Sequence, residues 1–217
     1  MLKRLNHFAL LSAALFAAST GTFADAPAPY TTDFSKMPVG KPSSEIFILN
    51  GSFAVKEEAG EKFLELAGNP VDTFGVLFGA EGQTATDVAG RIFATADGKL
   101  FPEFGMGAND AGGWKLWLIP GQKALVLRKG DDEKARVPFD WISGKWTHFK
   151  LHVAPGASGW TIEGKAWMEG GKEPEKATIA TTDTAAPPTG RASAWGQPYA
   201  GTAIRFDDLS AVPGSAK

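Results

Sequence analysis

The feature that most constrains the fold of this chain is a two-residue alternation of apolar and polar side chains. It is clearest in the segment GKWTHFKLHV, residues 144–153. One side of this segment carries Thr147, Phe149, Leu151 and Val153, and the other side carries His148, Lys150 and His152. Side chains with this period point alternately to the two faces of a β-strand, so the segment is predicted to be a strand with one buried face.

Short segments of the same kind continue along the chain, separated by turn-forming residues. VAGRIFAT, WKLWLI, KALVLRK and TIEGKAWM are among these segments, and NDAGG, KGDDE and APGASG are among the turns. The chain has 26 glycines and no sustained 3.6-residue period, so it lacks the helices that a parallel α/β fold needs for its crossovers. We therefore predict an all-β sandwich or barrel.

The segment SFAVKEEAGEKFLEL, residues 52–66, is predicted to be a hairpin that turns at EAGE. Its inward residues are expected to be Phe53, Val55, Leu64 and Leu66. The alternative is a helix over residues 57–66, which Gly60 weakens because glycine in a helix interior costs about 1 kcal/mol relative to alanine.

The amino terminus has the three parts of a secretory signal peptide. Lys3 and Arg4 precede the apolar run FALLSAALFAAS, and small residues follow as far as Ala24 and Ala26. A membrane-spanning helix needs roughly 20 apolar residues, more than this run supplies. We predict that the chain is exported to the periplasm or the extracellular space, with residues 1–24 as the signal peptide and cleavage after Ala24 or Ala26.

The remaining chain is predicted to form one domain. A length of 217 residues with 43% hydrophobic and 21% charged residues is typical of a single globular unit. The predicted organisation is an extended lead-in over residues 25–45, rich in proline and small residues, a β-sandwich domain over residues 46–212 and a short tail over residues 213–217.

Charge and cysteine content exclude several classes of function. Without residues 1–24, which also carry His7, the chain has 20 basic and 24 acidic side chains, a net charge of −4. No basic block is present that could neutralise phosphates, so nucleic acid is not expected as a partner. The chain has no cysteine, which excludes disulfides, thiolate chemistry and cysteine zinc sites.

His148 and His152 do not form a metal site by themselves. On a strand they stand roughly 13 Å apart, whereas ligands of one zinc ion must each lie about 2.0–2.1 Å from it. No GxSxG-type motif supports a catalytic triad either, so both are interpreted as solvent-face residues. If APGASG closes a hairpin, the facing pairs are predicted to be Lys150 with Glu163, His148 with Lys165 and Trp146 with Trp167.

Three segments resemble a known superfamily: GKWTHFKLHV, EGKAWMEGGKEPE and GRASAWGQPYAGTAIRFDDLSA. Together with their surroundings, about residues 85–212, they resemble the concanavalin A-like lectin/glucanase superfamily, and most closely the LamG-like jelly rolls that include the 3-keto-disaccharide hydrolase domains. The resemblance implies an antiparallel two-sheet β-sandwich, a concanavalin-like jelly roll, whose last strand returns beside an opening strand near Asp33 and Phe34.

Catalysis has little support in the residues. Glycanases on such sandwiches place acids at alternate strand positions, as in E-x-D-x-E, because residues two apart share a face about 6.6 Å apart. This sequence has no such stretch. Hydrolysis of a glycoside or 3-keto-glycoside by another arrangement stays open through the resemblance, and the groups to test are Glu103, Asp110, His148 and Arg91.

Carbohydrate binding is the leading hypothesis, because sugars stack their C–H faces on aromatic rings. The chain has seven tryptophans. By alternation Trp114 belongs to the core. Four other aromatic residues are candidates for ligand binding, with structural burial as the alternative for each: Trp117, Trp167, Trp195 and Tyr199. An outward cluster of Trp117 with Trp167 would favour a sugar site. An interaction module that binds another envelope protein through a sheet face is the remaining alternative.

No cofactor is required by these hypotheses, but a structural calcium ion is considered. Asp207 and Asp208, with Asp33 from the opening strand, could supply oxygen ligands. Calcium takes six to eight oxygens, and the simpler interpretation is that Asp207 and Asp208 bond backbone groups where their strand ends.

Overall fold

The computed structural model describes residues 28–214 and contains fifteen β-strands and one short 3₁₀ helix. The predicted signal peptide, its cleavage sites at Ala24 and Ala26, and His7 lie outside the described residues, as do the last three residues of the tail. Within residues 28–214 no helix is long and apolar enough to cross a membrane.

Eight strands form the first sheet, called sheet A. They are β1 (Tyr30–Thr32), β3 (Phe53–Glu58), β4 (Glu61–Leu66), β6 (Thr86–Phe93), β11 (Trp146–Gly156), β12 (Gly159–Met168), β13 (Ile179–Asp183) and β15 (Ile204–Pro213). Their order is β13-β12-β11-β6-β15-β4-β3, and β1 pairs with β15. All pairings are antiparallel.

Seven strands form the second sheet, called sheet B. They are β2 (Phe47–Asn50), β5 (Phe74–Gln83), β7 (Glu103–Ala108), β8 (Trp114–Ile119), β9 (Ala124–Lys129), β10 (Asp132–Pro138) and β14 (Gly190–Gln197). Their order is β10-β9-β8-β7-β14-β5-β2, again with antiparallel pairing throughout. The 3₁₀ helix Pro120–Gln122 connects β8 to β9.

The two sheets pack face to face over one apolar core. Phe104 of sheet B and Phe149 of sheet A meet edge to face there, with ring centroids 6.0 Å apart, and both are fully buried. Trp114, expected in the core, is 1% exposed. Burial of alternate residues on both inner faces is what the period-two pattern requires, so the predicted all-β, two-sheet sandwich is confirmed.

The hairpin predicted over residues 52–66 is also present, as β3 and β4. All four residues expected to face inward are buried: Phe53, Val55, Leu64 and Leu66. The turn consists of Ala59 and Gly60, both at positive φ. Because alternation places these four apolar side chains on one face of a sheet, the alternative helix over residues 57–66 is wrong.

The predicted register between β11 and β12 is wrong by two residues. His148 faces Trp167, Lys150 faces Lys165 and His152 faces Glu163. The strands continue to Gly156 and Gly159, so the turn is tighter than the APGASG motif suggested. Trp146 pairs instead with Phe93 of β6.

The lead-in contributes residues to the sandwich. Strand β1 pairs with β15, with Thr31 opposite Ser210. After β1 the chain buries Phe34 and Met37 in the core, at 0% and 7% exposure. Burial of these two side chains anchors the segment that follows β1, and β1 itself lies beside β15.

Candidate functional site

The outer face of sheet B carries one row of paired residues that crosses all seven strands. From β10 to β2 the row consists of Arg136, Val126, Trp117, Gly105, Trp195, Gly75 and Asn50. Trp117 and Trp195 therefore lie two strands apart, with Gly105 between them. Trp117, Trp195, Ile119, Ala124 and Val126 form a small apolar cluster separate from the main core.

Glycines make room for these indole rings. A Cβ atom at Gly75 would lie 2.5 Å from Cε3 of Trp195, and one at Gly107 would lie 2.4 Å from Oγ of Ser193. A Cβ at Gly105 would lie 2.2 Å from the backbone oxygen of Leu116. Since nonbonded carbon and oxygen atoms do not approach a Cβ atom so closely, glycine is required at the centre of this face. Gly75, Gly105 and Gly107 are called the glycine floor below.

Hydrogen bonds fix the orientation of both indoles. Trp117 Nε1–H donates to Oε2 of Glu103 at 2.9 Å, and Trp195 Nε1–H donates to Oγ of Ser193 at 2.7 Å. Buried indole N–H groups need such partners. The rings are held in place, with Trp117 and Trp195 only 1% and 7% exposed.

Two cations lie over these rings. The Lys115 Nζ is 4.9 Å from the Trp195 ring centroid, and the Arg128 Cζ is 5.3 Å from the Trp117 ring. Both distances are within the range of a cation–π interaction. Lys115 and Arg128 face each other across β8 and β9, so two positive charges stand side by side above the aromatic cluster.

Lys115 is a buried cation. It is 6% exposed, and its ammonium donates to the backbone oxygens of Ala111 at 2.6 Å and Gly130 at 3.1 Å. Burial lowers the pKa of Lys115; the charge of Asp131 opposes this shift and that of Arg128 adds to it.

A pocket of about 250 Å³ opens at this place. Lys115, Trp117, Arg128, Asp131, Trp195 and Gln197 line it. The Gln197 amide donates a hydrogen bond to the Thr73 hydroxyl at the rim. Tyr199 follows on the loop after β14 and is 41% exposed. Burial, with the charges of Glu103 and Asp72, raises the pKa of the Tyr199 hydroxyl. The pocket thus combines aromatic rings, two cations and several hydrogen-bonding groups.

Comparison with solved structures places this architecture among known folds. The chain is 13% identical to the carbohydrate binding module CBM66 from Bacillus subtilis, with a TM-score of 0.53 over 77% of this chain and 94% of the module. It is 12% identical to peanut lectin, with a TM-score of 0.55 over 85% of this chain and 97% of the lectin. The chain has the concanavalin A-like lectin/glucanase fold.

The same fold occurs within a larger enzyme. A xylan β-1,4-xylosidase from Bacillus halodurans C-125 is 14% identical, with a TM-score of 0.56 over 87% of this chain but 40% of the enzyme. No protein-family model and no curated protein matches the sequence. The finer resemblance to the 3-keto-disaccharide hydrolase domains therefore stays a prediction.

The outward tryptophans do not form the cluster that the sequence suggested. Within this concanavalin A-like sandwich Trp117 lies on sheet B and Trp167 on sheet A, so the two occupy opposite outer faces. Trp167 stacks on His148, with centroids 5.0 Å apart and an interplanar angle of 9°. The structure instead groups Trp117 with Trp195, because their strands are separated only by β7.

The four groups considered for hydrolysis are not brought together. Glu103 lies on the outer face of sheet B and accepts the Trp117 N–H. Asp110 follows β7 and accepts the backbone N–H of Arg191 at 2.7 Å. His148 and Arg91 face each other on sheet A. They are thus divided among three parts of the sandwich, and no common substrate position joins them.

The three aspartates considered for calcium are engaged in other contacts. Arg91 donates to Oδ2 of Asp207 at 2.6 Å, and its Nε lies 2.9 Å from Oδ2 of Asp208. Asp33 accepts the backbone N–H and the hydroxyl of Ser35. In the described part of the chain no group of three or more His, Cys, Asp or Glu could hold a metal ion. Asp207 and Asp208 thus share Arg91 as a cationic partner.

A β-bulge explains why neighbouring aspartates reach one arginine. The pairing of β15 with β6 shifts between Asp207 and Ser210, and Asp208 has a φ of 51°. The strand does not end at Asp208, as the sequence interpretation assumed, but continues to Pro213. Adjacent residues of a regular strand point to opposite faces; the bulge removes that constraint.

A larger groove of about 850 Å³ lies on the outer face of sheet A. Four of the titratable groups that line it are engaged in ion pairs: Asp87, Lys150, His152 and Lys165. His152 Nδ1 lies 2.5 Å from Oδ1 of Asp87, and Glu173 bonds both Lys150 and Lys165. No tryptophan is among the described residues that line it. The smaller pocket on sheet B differs from this groove because two cations and two indole rings line it together.

Sequence reasoning placed Lys115 on the outer face beside Trp117 but did not identify it or Arg128 as site residues. The signal was available in WKLWLI and KALVLRK, where a cation shares the outward face of each strand. The facing positions of Lys115 and Arg128 become visible only with the register between β8 and β9.

Proposed function

We propose that this chain is a non-catalytic carbohydrate-binding domain that binds a glycan on the outer face of sheet B. The observation that carries the proposal is the pocket in which two hydrogen-bonded indoles support two cations. Preformed clefts with aromatic walls and a few oriented polar groups are typical of ligand sites. The lectin and the carbohydrate binding module of similar fold support this proposal.

The groups at the pocket suit a sugar. Arg128 and Gln197 present N–H donors, and Asp131 presents an acceptor. Tyr199, two residues after the pocket residue Gln197, adds an exposed aromatic ring. Since Trp117 and Trp195 are almost fully buried, their part is to support the cations, and Tyr199 is the residue whose face is open for a sugar ring.

The acidic groups support binding without catalysis. Asp131 is the one acid among the described residues lining the pocket. Glycoside hydrolysis by the usual mechanism needs two carboxyl groups about 5–9.5 Å apart across the scissile bond. Glu103, the nearest candidate for a second group, is engaged by the indole of Trp117.

Export belongs to the same proposal. The support is the basic, apolar and small-residue pattern of residues 1–24, and the proposed location is the periplasm or the extracellular space. Mass spectrometry of the secreted chain is expected to give an amino terminus directly after Ala24 or Ala26. A chain that keeps residue 1 and stays in the cytoplasm would overturn this part.

Glycan-array retention tests the binding function. The purified chain is expected to bind a subset of glycans, and Tyr199→Ala and Gln197→Ala are expected to reduce retention. Trp167→Ala, on the opposite sheet, is the control and is expected to retain them as the unchanged chain does. Equal loss in all three variants, or release of sugar from a glycoside or 3-keto-glucoside, would contradict the proposal.

A further inference from the structure

Arg128 differs from the other arginines in the part of the chain that the structure describes. Arg91, Arg136, Arg191 and Arg205 each lie within 4.0 Å of a carboxylate. Within residues 28–214 no carboxylate lies at that distance from Arg128. The Arg128 side chain instead lies over the Trp117 ring.

The acid that could neutralise Arg128 is held elsewhere. Glu133 faces Arg128 across β9 and β10. However, both of its carboxylate oxygens accept hydrogen bonds from Arg136, at 2.7 and 2.6 Å. This paired geometry uses the oxygens that a guanidinium binds most favourably. Among the described residues the Arg128 guanidinium therefore lines the pocket with no carboxylate within 4.0 Å, although its charge still acts on that of Glu133 from farther away.

Lys115 adds a second positive charge at the same place. Two like charges at facing strand positions repel each other, and burial makes the charged form of Lys115 more costly. Two of its three N–H groups bind the backbone oxygens of Ala111 and Gly130. Asp131 also lines the pocket and its charge favours the charged form of Lys115, but among the described residues it forms no ion pair within 4.0 Å with either cation. A bound anion would relieve the repulsion.

We infer that Arg128 and Lys115 bind the carboxylate of an acidic sugar, so that the glycan taken by this domain contains uronic acid. The inference rests on the proposed function and specifies its ligand class. A planar guanidinium matches a carboxylate through two parallel hydrogen bonds, while an ammonium acts as a point charge. The pocket, at about 250 Å³, is slightly smaller than the usual range of ligand sites, which suits one sugar residue of a chain.

A matched pair of ligands tests the charge directly. Titration calorimetry compares an oligogalacturonate with its methyl ester, which keeps the ring skeleton and removes the charge; oligoglucuronate and oligomannuronate extend the set. The acidic oligosaccharide is expected to bind about 10- to 100-fold more tightly than the ester, the factor that one charged hydrogen-bonded contact supplies. High salt is expected to narrow this difference.

Three variants assign the effect to the two cations. Arg128→Gln is expected to weaken binding of the acid about 10-fold or more and to weaken binding of the ester by a smaller factor, because the ester loses only a neutral hydrogen bond. Lys115→Met is expected to act in the same direction and to lower the melting temperature, because the backbone oxygens of Ala111 and Gly130 lose their donor; Arg128→Gln, whose side chain makes no such bonds among the described residues, keeps the test independent of stability. Lys56→Gln, which removes an exposed charge from β3, is the control and is expected to bind both ligands as the unchanged chain does.

The outcomes separate this inference from the proposed function. Equal binding of acid and ester, insensitive to Arg128→Gln, would overturn the inference and leave carbohydrate binding intact. Preference for a sulfated oligosaccharide over the uronates would overturn the carboxylate assignment. Citrate binding as tightly as the oligouronate would overturn carbohydrate binding and keep an anion site. Absence of binding to every ligand of this set, together with no retention on the glycan array, would overturn both.

Discussion

Gly75 and Trp195 face each other across β5 and β14, and the indole ring occupies the space where a side chain of residue 75 would begin. The Trp195 atoms Cε3 and Cζ3 would lie 2.5 and 2.6 Å from a Cβ at this position. The position of the indole therefore depends on a residue without a side chain on the neighbouring strand.

Gly75→Ala is expected to destabilise the chain by about 1–3 kcal/mol, the usual range for adding a methyl group to a well-packed site. The free energy of unfolding in urea, followed by tryptophan fluorescence, measures it. Gly112→Ala is the matched control, since a Cβ there would meet nothing within 4 Å. Equal stability of the two variants would show that the ring can move aside.

Trp117→Ala is expected to cost about 3–5 kcal/mol, as for other large buried side chains, and Trp167→Ala is expected to cost less. Trp117 is 1% exposed, whereas Trp167 is only partly buried and contacts His148 by stacking. Thermal denaturation of both variants measures the difference. The reverse order would mean that the outer face of sheet A contributes more to stability than that of sheet B.

The Asp207 carboxyl is expected to make stability depend on pH. Burial raises the pKa of Asp207 from 3.8 to about 6, although its bond with Arg91 opposes the shift. The native state then holds a proton that the unfolded chain has already lost, so the free energy of unfolding falls as pH rises from about 4 to about 6. Relative to Asp207→Asn, the unchanged chain is expected to lose on the order of 1–3 kcal/mol over this range.

The ion pair with Arg91 favours the charged form of Asp207 and therefore opposes this pH dependence. Burial lowers the pKa of Arg91, but its bonds to Asp207 and Glu61 outweigh burial and raise that pKa. We give burial of the carboxyl more weight because Asp207 is 1% exposed. Urea unfolding of the unchanged chain and of Asp207→Asn between pH 4 and pH 7 measures which of the two effects is larger. A gain in stability of the unchanged chain over Asp207→Asn with rising pH would show that the ion pair dominates.

Glu173 separates two lysines that face each other. Lys150 and Lys165 are register partners, and Glu173 lies 2.6 Å from the first Nζ and 3.1 Å from the second. Glu173→Gln is expected to destabilise the chain by about 0.5–1 kcal/mol, because partly exposed ion pairs contribute little each and the lysines then repel. Unfolding at low and high salt measures it, with the loss smaller at high salt.

Two further variants test this interpretation of Glu173. Adding Lys165→Glu to Glu173→Gln is expected to restore stability, since Lys150 then faces a carboxylate. Glu175→Gln, in the same loop and exposed, is the control. A loss of stability in Glu175→Gln equal to that in Glu173→Gln would point to the loop rather than the lysine pair.

Side-chain alternation predicts the sandwich because it determines which side of a strand each residue occupies. It correctly placed Trp114 in the core and Trp117 on an outer face. It did not predict the burial of Trp117, since burial depends on neighbouring strands and on the glycines they carry. Nor did it predict the register between β11 and β12, because loop length allows several registers that all keep the same faces.

The candidate site was less accessible to sequence reasoning than the fold. Trp117, Trp195 and Tyr199 were identified as single candidates, but Arg128 was not. Its importance depends on Glu133 being held by Arg136, which follows from side-chain geometry at a β-bulge between Glu133 and Ala135. Likewise, Asp207 and Asp208 both contact Arg91 only because of a β-bulge, which the local sequence pattern does not predict.

The glycine floor limits which positions on the outer face of sheet B can change in sequence among related domains. With backbone alone at positions 75, 105 and 107, the centre offers no side chains to exchange, and almost any replacement there collides with a neighbour before it meets a ligand. The ligand selectivity of the proposed glycan site can therefore change only through residues around these glycines, such as Arg128, Gln197 and Tyr199. Related domains with different sugar preferences should differ around the perimeter while keeping an unchanged middle.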